Sequence, residues 1–322
     1  MRQDQINKII ASLPKDRTLF YYFKDRYALL LIDHMFQNSV PLRQIKESQF
    51  ARLLDRPLLK SLISTKGNGL LELKDLENLW PLDPLCYRLT LGSWGSETGF
   101  TFDQQTTRAQ PNLVLHLNFS NHHDQAFKTL IDHKGGHPFI YEDHPNARAG
   151  FNTLAWSRMD IDLTSGQALI EELQTDWLRY IKWCTAYFKS KAKDRTTDDN
   201  ELIQYGGSSI RRKDFYRYVD TVIQPHFKLW EEAMLSATLW FLFKELKLTK
   251  IYFHDADCGA QLKQISGRLP PRSLYTDLPN KFCFKQINEA PDFLLKKTSY
   301  SFRRLRKQKK LRFWMLERVT CS

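Results

Sequence analysis

The hydrophobic positions near the start of the chain recur at helical spacing. Phe20, Phe23, Tyr27, Leu30, Leu31 and Met35 fall on one face of a helix, with Asp16 as N-cap and an end near Asn38, ahead of Pro41. Two short helices follow in the pattern. Ser48 caps one that carries Phe50, Leu53 and Leu54, and Pro57 opens another with Leu58, Leu59, Leu62 and Ile63. A Gly67–Asn68–Gly69 turn closes the run. Residues 1–82 are therefore expected to form a helical module. Its order is compatible with a helix-turn-helix or a small winged helix. Its second short helix has only Lys60 and the neighbouring Arg56 as basic residues, which favours a docking module over a DNA reader.

After residue 83 the pattern alternates. CYRLTLGSWG, NLVLHLNF, FNTLAWSRMDID, QALIEELQTD and KIYFHD read as strands. DQAFKTLIDH, DWLRYIKWCTAYFKSKAK, the run 211–218 and FKLWEEAMLSATLWFLFKELK read as helices, the last apolar nearly all round and therefore deeply buried. A turn over Thr164–Gly166 predicts a hairpin. A strand, buried helix, strand order predicts a parallel pair between 168–175 and 250–254. FCF at 282–284 reads as an edge strand after a proline-rich loop. The expected fold class is α+β (mixed α/β): a helical module over 1–82, a mixed-sheet domain over 83–295 and a basic C-terminal segment over 296–322.

Within the strands, ELQTD is the stretch that suggests chemistry. On an extended chain Glu172, Gln174 and Asp176 share a face. Buried polar groups are costly without partners, so three in a row imply a solvent-lined cleft or a paired network. The preceding strand puts Trp156, Arg158 and Asp160 on one face, and hairpin register brings Arg158 opposite Glu172 or Gln174. The strand KIYFH delivers His254 toward the same end, where open sheets bind ligands, and an imidazole there can act as a general base. Arg158, Glu172, Gln174, Asp176 and His254 are the candidate catalytic residues. A strand with one wet face is the plainer alternative.

The net charge of +12 is uneven. Between 296 and 312, Lys296, Lys297, Arg303, Arg304, Arg306, Lys307, Lys309, Lys310 and Arg312 occur with no acidic residue. Clustered cations attract polyanions by counterion release, and Phe302, Phe313 and Trp314 among them suggest stacking on unpaired bases. The 5 cysteines form no CxxC pair, which argues against a disulfide framework or structural zinc. His122, His123, His133, His137 and His144 cluster near Asp124 and Asp143, but no pair has convincing ligand spacing, and metal binding is not expected. No cofactor is indicated. No long apolar run or leader-like stretch is visible, so no membrane association and a cytoplasmic location are expected.

TLAWSRMDIDLTSGQALIEELQTDW resembles the segment ending in E-I-Q-S-D-W of poorly characterised phage and prophage proteins, including domains of large mobile-element polypeptides. Glu172, Gln174, Asp176 and Trp177 match that string, and Leu173 and Thr175 depart from it conservatively. The later PHFKLWEEAMLSATLWFLFKELKLTKIYFHD looks like the helix and strand that follow in those proteins, so the likeness covers residues 150 to 255. The strand, strand, helix, strand order also resembles the core of the N-acetyltransferase fold. In that fold a loop R/Q-x-x-G-x-G/A binds pyrophosphate after the fourth strand, whereas here WLRYIKW follows, without glycine.

Three functions compete on these grounds. The first is a nucleic-acid-associated protein of mobile-element type that binds RNA or DNA through the 296–312 segment. The second is an N-acetyltransferase-like transferase with a polar cleft around Glu172. The third is a non-catalytic interaction module with an acidic protein partner.

Overall fold

The computed structural model describes residues 1–12, 18–36, 39–67, 69–98, 104–131, 137–147, 150–192, 198–205, 207–265, 267, 269–295 and 300–318. Its core is a mixed sheet of eight strands: β1 (Thr18–Tyr22), β2 (Leu85–Trp94), β3 (Asn112–Asn118), β4 (Thr153–Asp162), β5 (Gln167–Gln174), β6 (Lys250–His254), β7 (Lys285–Ile287) and β8 (Phe313–Glu317). The spatial order is β1-β2-β3-β4-β5-β6-β8-β7. Every pairing is antiparallel except β5 with β6, which run parallel with Lys250 opposite Gln167 and Phe253 opposite Ile170. The mixed α+β class and the parallel pair agree with the alternation in the sequence. So does the β4–β5 hairpin, whose turn ends in Gly166 at φ 66.

The helices bearing on the site are α1 (Gln3–Ser12), α2 (Arg26–Met35), α3 (Asn121–Leu130), α4 (Asp176–Ala192), α5 (Gln224–Trp240), α6 (Ala256–Leu262) and α7 (Tyr300–Lys307). Leu169 and Ile170 are chain neighbours, as are Tyr252 and Phe253, yet each pair divides between two hydrophobic clusters. Adjacent strand residues face opposite ways, so the clusters lie on opposite faces of the sheet. The larger holds α2, α4 and α5, with Ala233, Met234, Ala237 and Leu239 of α5 fully enclosed. The smaller holds Cys258 and Leu262 of α6 and Phe302 and Leu305 of α7.

Three expectations require correction. The long N-terminal helix is shorter than its periodicity implied. Residues 18–22 are an edge strand in which Phe20 and Tyr22 are buried while Leu19 and Tyr21 face out, so a period of two wins over helical spacing. Asp25, at φ 66, then turns the chain into α2. Asp16 and Asn38 lie outside the described residues. Secondly, residues 1–82 share the large core instead of forming a module with a core of its own: Tyr22 donates to Glu232 at 2.9 Å and Arg52 to Asn280 at 2.8 Å. The helix Pro57–Ser64, opened by its proline, is where the pattern placed it.

The third correction concerns the C-terminal segment, which is built into the sheet. α7 is amphipathic and packs through Phe302 and Leu305, and β8 pairs with both β6 and β7. Phe302 and Phe313 are buried, and Trp314 is half-buried with its Nε1 donating to the Tyr275 carbonyl at 2.8 Å. Packing therefore takes Phe302 and Phe313 out of reach of bases. Among the described residues, no helix is long and apolar enough to cross a membrane.

Candidate functional site

The face of β4 and β5 opposite α5 carries the predicted polar cluster. Arg158 sits directly opposite Glu172, and Trp156 opposite Gln174. Arg158 and Glu172 form a buried ion pair. The Arg158 guanidinium also donates to the carbonyls of Gln104 (2.8 Å) and Gln105 (3.1 Å) and lies 5.6 and 5.8 Å from the ring centroids of Trp94 and Trp156. These residues floor a cavity of about 580 Å³, closed on its other side by Tyr141, Glu142, Asp143, His144 and Pro145. That volume accommodates a small polar molecule or one residue of a polymer.

Asp176 is not the third residue of a strand face. The strand ends at Gln174, and Asp176 opens α4. Thr175 marks the change: its hydroxyl donates to the Leu154 carbonyl and accepts from the Leu178 amide at 3.3 Å, holding the first turn of the helix. This placement turns Asp176 toward His144, whose Nδ1 lies 2.9 Å from Oδ2. Gln174 Nε2 donates to Asp176 Oδ1 at 2.8 Å, and Arg179 pairs with the same oxygen. Burial pushes the Asp176 carboxyl upward, but the His144 hydrogen bond and the charges of His144 and Arg179 outweigh it and hold it below the usual range. Both the Asp176 carboxylate and the Gln174 amide nitrogen lie on His144 Nδ1, at 2.9 and 2.8 Å, and among the described residues His144 Nε2 makes no hydrogen bond. His144 is 25% exposed and lines the cavity. An oriented imidazole with one free nitrogen beside a cavity is the arrangement that moves protons.

The structure does not bring His254 into this cavity. It is fully buried behind the cluster, with Nε2 at 3.0 Å from Glu171 Oε2 and 2.9 Å from the Thr107 hydroxyl. Burial is the larger influence on the imidazole and lowers its pKa against the pull of Glu171. It is thus a neutral ring donating Nε2–H to an ionised Glu171, and Nδ1 has no hydrogen-bond partner. Glu171 belongs to this face through an irregularity. The β4–β5 register shifts between Arg158 and Met159, so Glu171 is an extra residue, and both it and Glu172 meet cations. Lys263 completes the group. Its ammonium donates to the Glu171 carbonyl at 3.0 Å and stands 3.9 Å from Glu172 Oε2. Burial raises the Glu172 carboxyl, but Lys263 and Arg158 more than offset this and keep it ionised.

Simple alternation found Arg158, Glu172 and Gln174. It missed Glu171, because a bulge leaves no mark in a two-residue period. It missed Lys263, which arrives from α6, about ninety residues away in sequence. His144 was visible only as one of a histidine group; its significance depends on contact with Asp176, 32 positions on. Elsewhere in that group, His123 is a core residue stacked on Phe119 at 3.5 Å and bonded to the Tyr218 hydroxyl at 2.8 Å. His133 lies outside the described residues.

The basic residues also divide. Lys296 and Lys297 lie outside the described residues. Arg303, Arg304, Arg306, Lys307, Lys309 and Lys310 are exposed, and none has a carboxylate within 4.0 Å among the described residues. Arg312 is half-buried and caps the carbonyls of Lys309 and Leu311. No protein-family model, curated protein or solved structure matches this chain.

Proposed function

We propose that the chain is an enzyme that moves a proton on a polar substrate held in the cavity between β4, β5 and residues 141–145. The observation that carries this reading is the His144–Asp176 pair at the cavity wall. His144 Nε2 is the proton acceptor, Asp176 sets its tautomer, and Arg158 and Glu172 form the charged floor that orients the substrate. His254 is a structural residue in this scheme and not the base. Transfer chemistry fits a base without a neighbouring side-chain nucleophile. The single parallel pair inside an otherwise antiparallel sheet supports likeness to the N-acetyltransferase fold. The donor is a different matter. The Leu178 amide in the first turn of α4 is taken by the Thr175 hydroxyl, and Lys263 occupies the space beyond Ile170 and Phe253 where β5 and β6 stop pairing. A pyrophosphate-bearing acyl donor has no cradle there.

The test is a thermal-shift screen of nucleotides, amino acids and acyl-CoA thioesters, with turnover of each hit followed by mass spectrometry. A hit is expected to raise the melting temperature of the wild type and not of Glu172→Gln. Its turnover should fall at least ~100-fold in His144→Asn. Equal responses in wild type and both variants would remove the cavity from the mechanism.

A second reading rests on a separate observation: the unneutralised cations of α7 and the turn after it form a polyanion-binding face. Nucleic acid is the proposed partner, with an acidic protein as the alternative. Replacing Arg303, Arg304, Arg306 and Lys307 by Ala should flatten the dependence of RNA affinity on salt, and an unchanged slope would exclude this face. The mobile-element resemblance is in keeping with it. A cytoplasmic location is part of the same proposal, supported by four free thiols at Cys86, Cys184, Cys258 and Cys283.

A further inference from the structure

The outward face of α4 carries a row of exposed rings. The inward face of the helix is consumed by the core through Trp177, Leu178, Ile181, Cys184 and Phe188. Outward, Trp183 and Tyr187 are 42% and 37% exposed, values that a core-packing role does not explain. They are four residues apart, so they stand on one side of the helix about 6 Å apart along its axis. Tyr180 meets Trp183 edge-on at 5.2 Å, and Tyr205 flanks Tyr187 at 5.9 Å. Cations accompany the rings. The Arg179 guanidinium lies 5.4 Å from the Trp183 centroid and the Lys191 ammonium 5.6 Å from that of Tyr187. Lys182 and Lys189 are exposed on either side, with Lys182 also near Glu231.

A chain of contacts at the start of α4 links this row to the proposed catalytic groups, round the end of β5 from the sheet face that floors the cavity. Arg179 pairs with Asp176, which holds His144, and exposed Tyr141 sits on His144 at 4.6 Å. Rings spaced along a cationic helix whose first turn holds the cavity histidine match a polymer whose flat units stack and whose backbone is anionic. We propose that α4 is a binding track for single-stranded nucleic acid, with Trp183 and Tyr187 as stacking platforms, and that the strand's terminal or extruded unit occupies the cavity. The proposal rests on the cavity reading and names its substrate class.

A membrane surface is the other occupant that tryptophan, tyrosine and lysine attract. An interfacial helix inserts a broad apolar face, and the apolar face of α4 is spent on the core. α7 packs on the opposite side of the sheet, so its cations form a different surface from this one.

The experiment is fluorescence anisotropy with labelled single-stranded 12-mers of RNA and of DNA, a matched duplex, and vesicles of phosphatidylcholine with phosphatidylserine. The variants are W183A/Y187A, W183F/Y187F and the quadruple alanine variant of α7. Single strands of one or both chemistries are expected to bind the wild type more tightly than the duplex does. Affinity should fall roughly 10- to 100-fold in W183A/Y187A and recover to within about threefold in W183F/Y187F. Undiminished binding by W183A/Y187A with loss in the α7 variant overturns the track and leaves the polyanion face of α7 standing. Ring-dependent binding to vesicles without binding to single strands overturns it in favour of a lipid surface. No binding of any probe to the wild type overturns it outright. The cavity reading has its own readout, the Glu172→Gln melting response, which none of these results alters.

Discussion

Two histidine–carboxylate pairs flank one polar cluster, and they differ chiefly in access. His144–Asp176 and His254–Glu171 bond at 2.9 and 3.0 Å. The first pair ends at a cavity, with one imidazole nitrogen free. The second is fully buried, packed against Thr107, Lys263 and Phe313. Geometry alone does not separate a catalytic dyad from a structural one; the separation comes from where the remaining nitrogen points and what it can touch.

The contrast is open to attack at several levels. The largest effect is expected from Glu171→Ala, which leaves the His254 Nε2–H, the Thr107 hydroxyl and the Thr107 amide buried without their acceptor. A loss of about 3–5 kcal/mol in urea denaturation is expected. A loss below about 1 kcal/mol would mean that the inner pair is as solvated as the outer one. Asp176→Asn should behave in the opposite sense. Its stability should change by less than about 1.5 kcal/mol, while turnover of any cavity substrate falls roughly 100-fold through loss of the His144 tautomer. Gly259→Ala sharpens the inner side of the comparison. A Cβ at Gly259 meets His254 Cβ at 2.8 Å and Cγ at 2.9 Å, both atoms of a fully buried side chain, so a loss of about 1–3 kcal/mol is expected with turnover unchanged per folded molecule.

The pH dependence of stability supplies a smaller effect, per ring and per pH unit. Burial lowers His254, and it lowers His116 to about 4 and His226 to about 3. Below their ordinary value of about 6.5 the unfolded chain binds protons that these folded rings refuse. Their contribution is therefore fully present above that value and is lost as pH falls from about 6.5 toward 4 and 3, at about 1.4 kcal/mol per pH unit for each ring. Stability that stays flat between pH 6.5 and 4.5 in urea melts would show that these rings are protonated in place.

What was legible in the chain follows from the range of the forces that decide it. Strand alternation is local, and TLAWSRMDID and QALIEELQ declare themselves as paired strands whose opposed residues include Arg158 and Glu172. The parallel partner KIYFH was legible because the buried helix before it dictates a crossover. Residues 18–22 were misread because their apolar side chains suit either period, and only pairing with β2, more than sixty residues on, decides for a strand. That the basic segment pairs into the sheet was not legible because charge is conspicuous, whereas Phe302, Leu305 and Phe313 at buried positions are few. The His144 dyad was not legible at all, since nothing in a sequence tells a loop histidine which carboxylate it will meet.

The insertion of β8 between β6 and β7 sets an order on assembly. β7 leaves the ribosome first, yet among the described residues its one ladder runs through a strand made some twenty-five residues later. Until that strand emerges, nascent β6 offers an open, apolar edge to any neighbouring polypeptide. Shielding of that edge during translation, by a chaperone or by slow release of competing chains, then governs how much native protein a cell obtains.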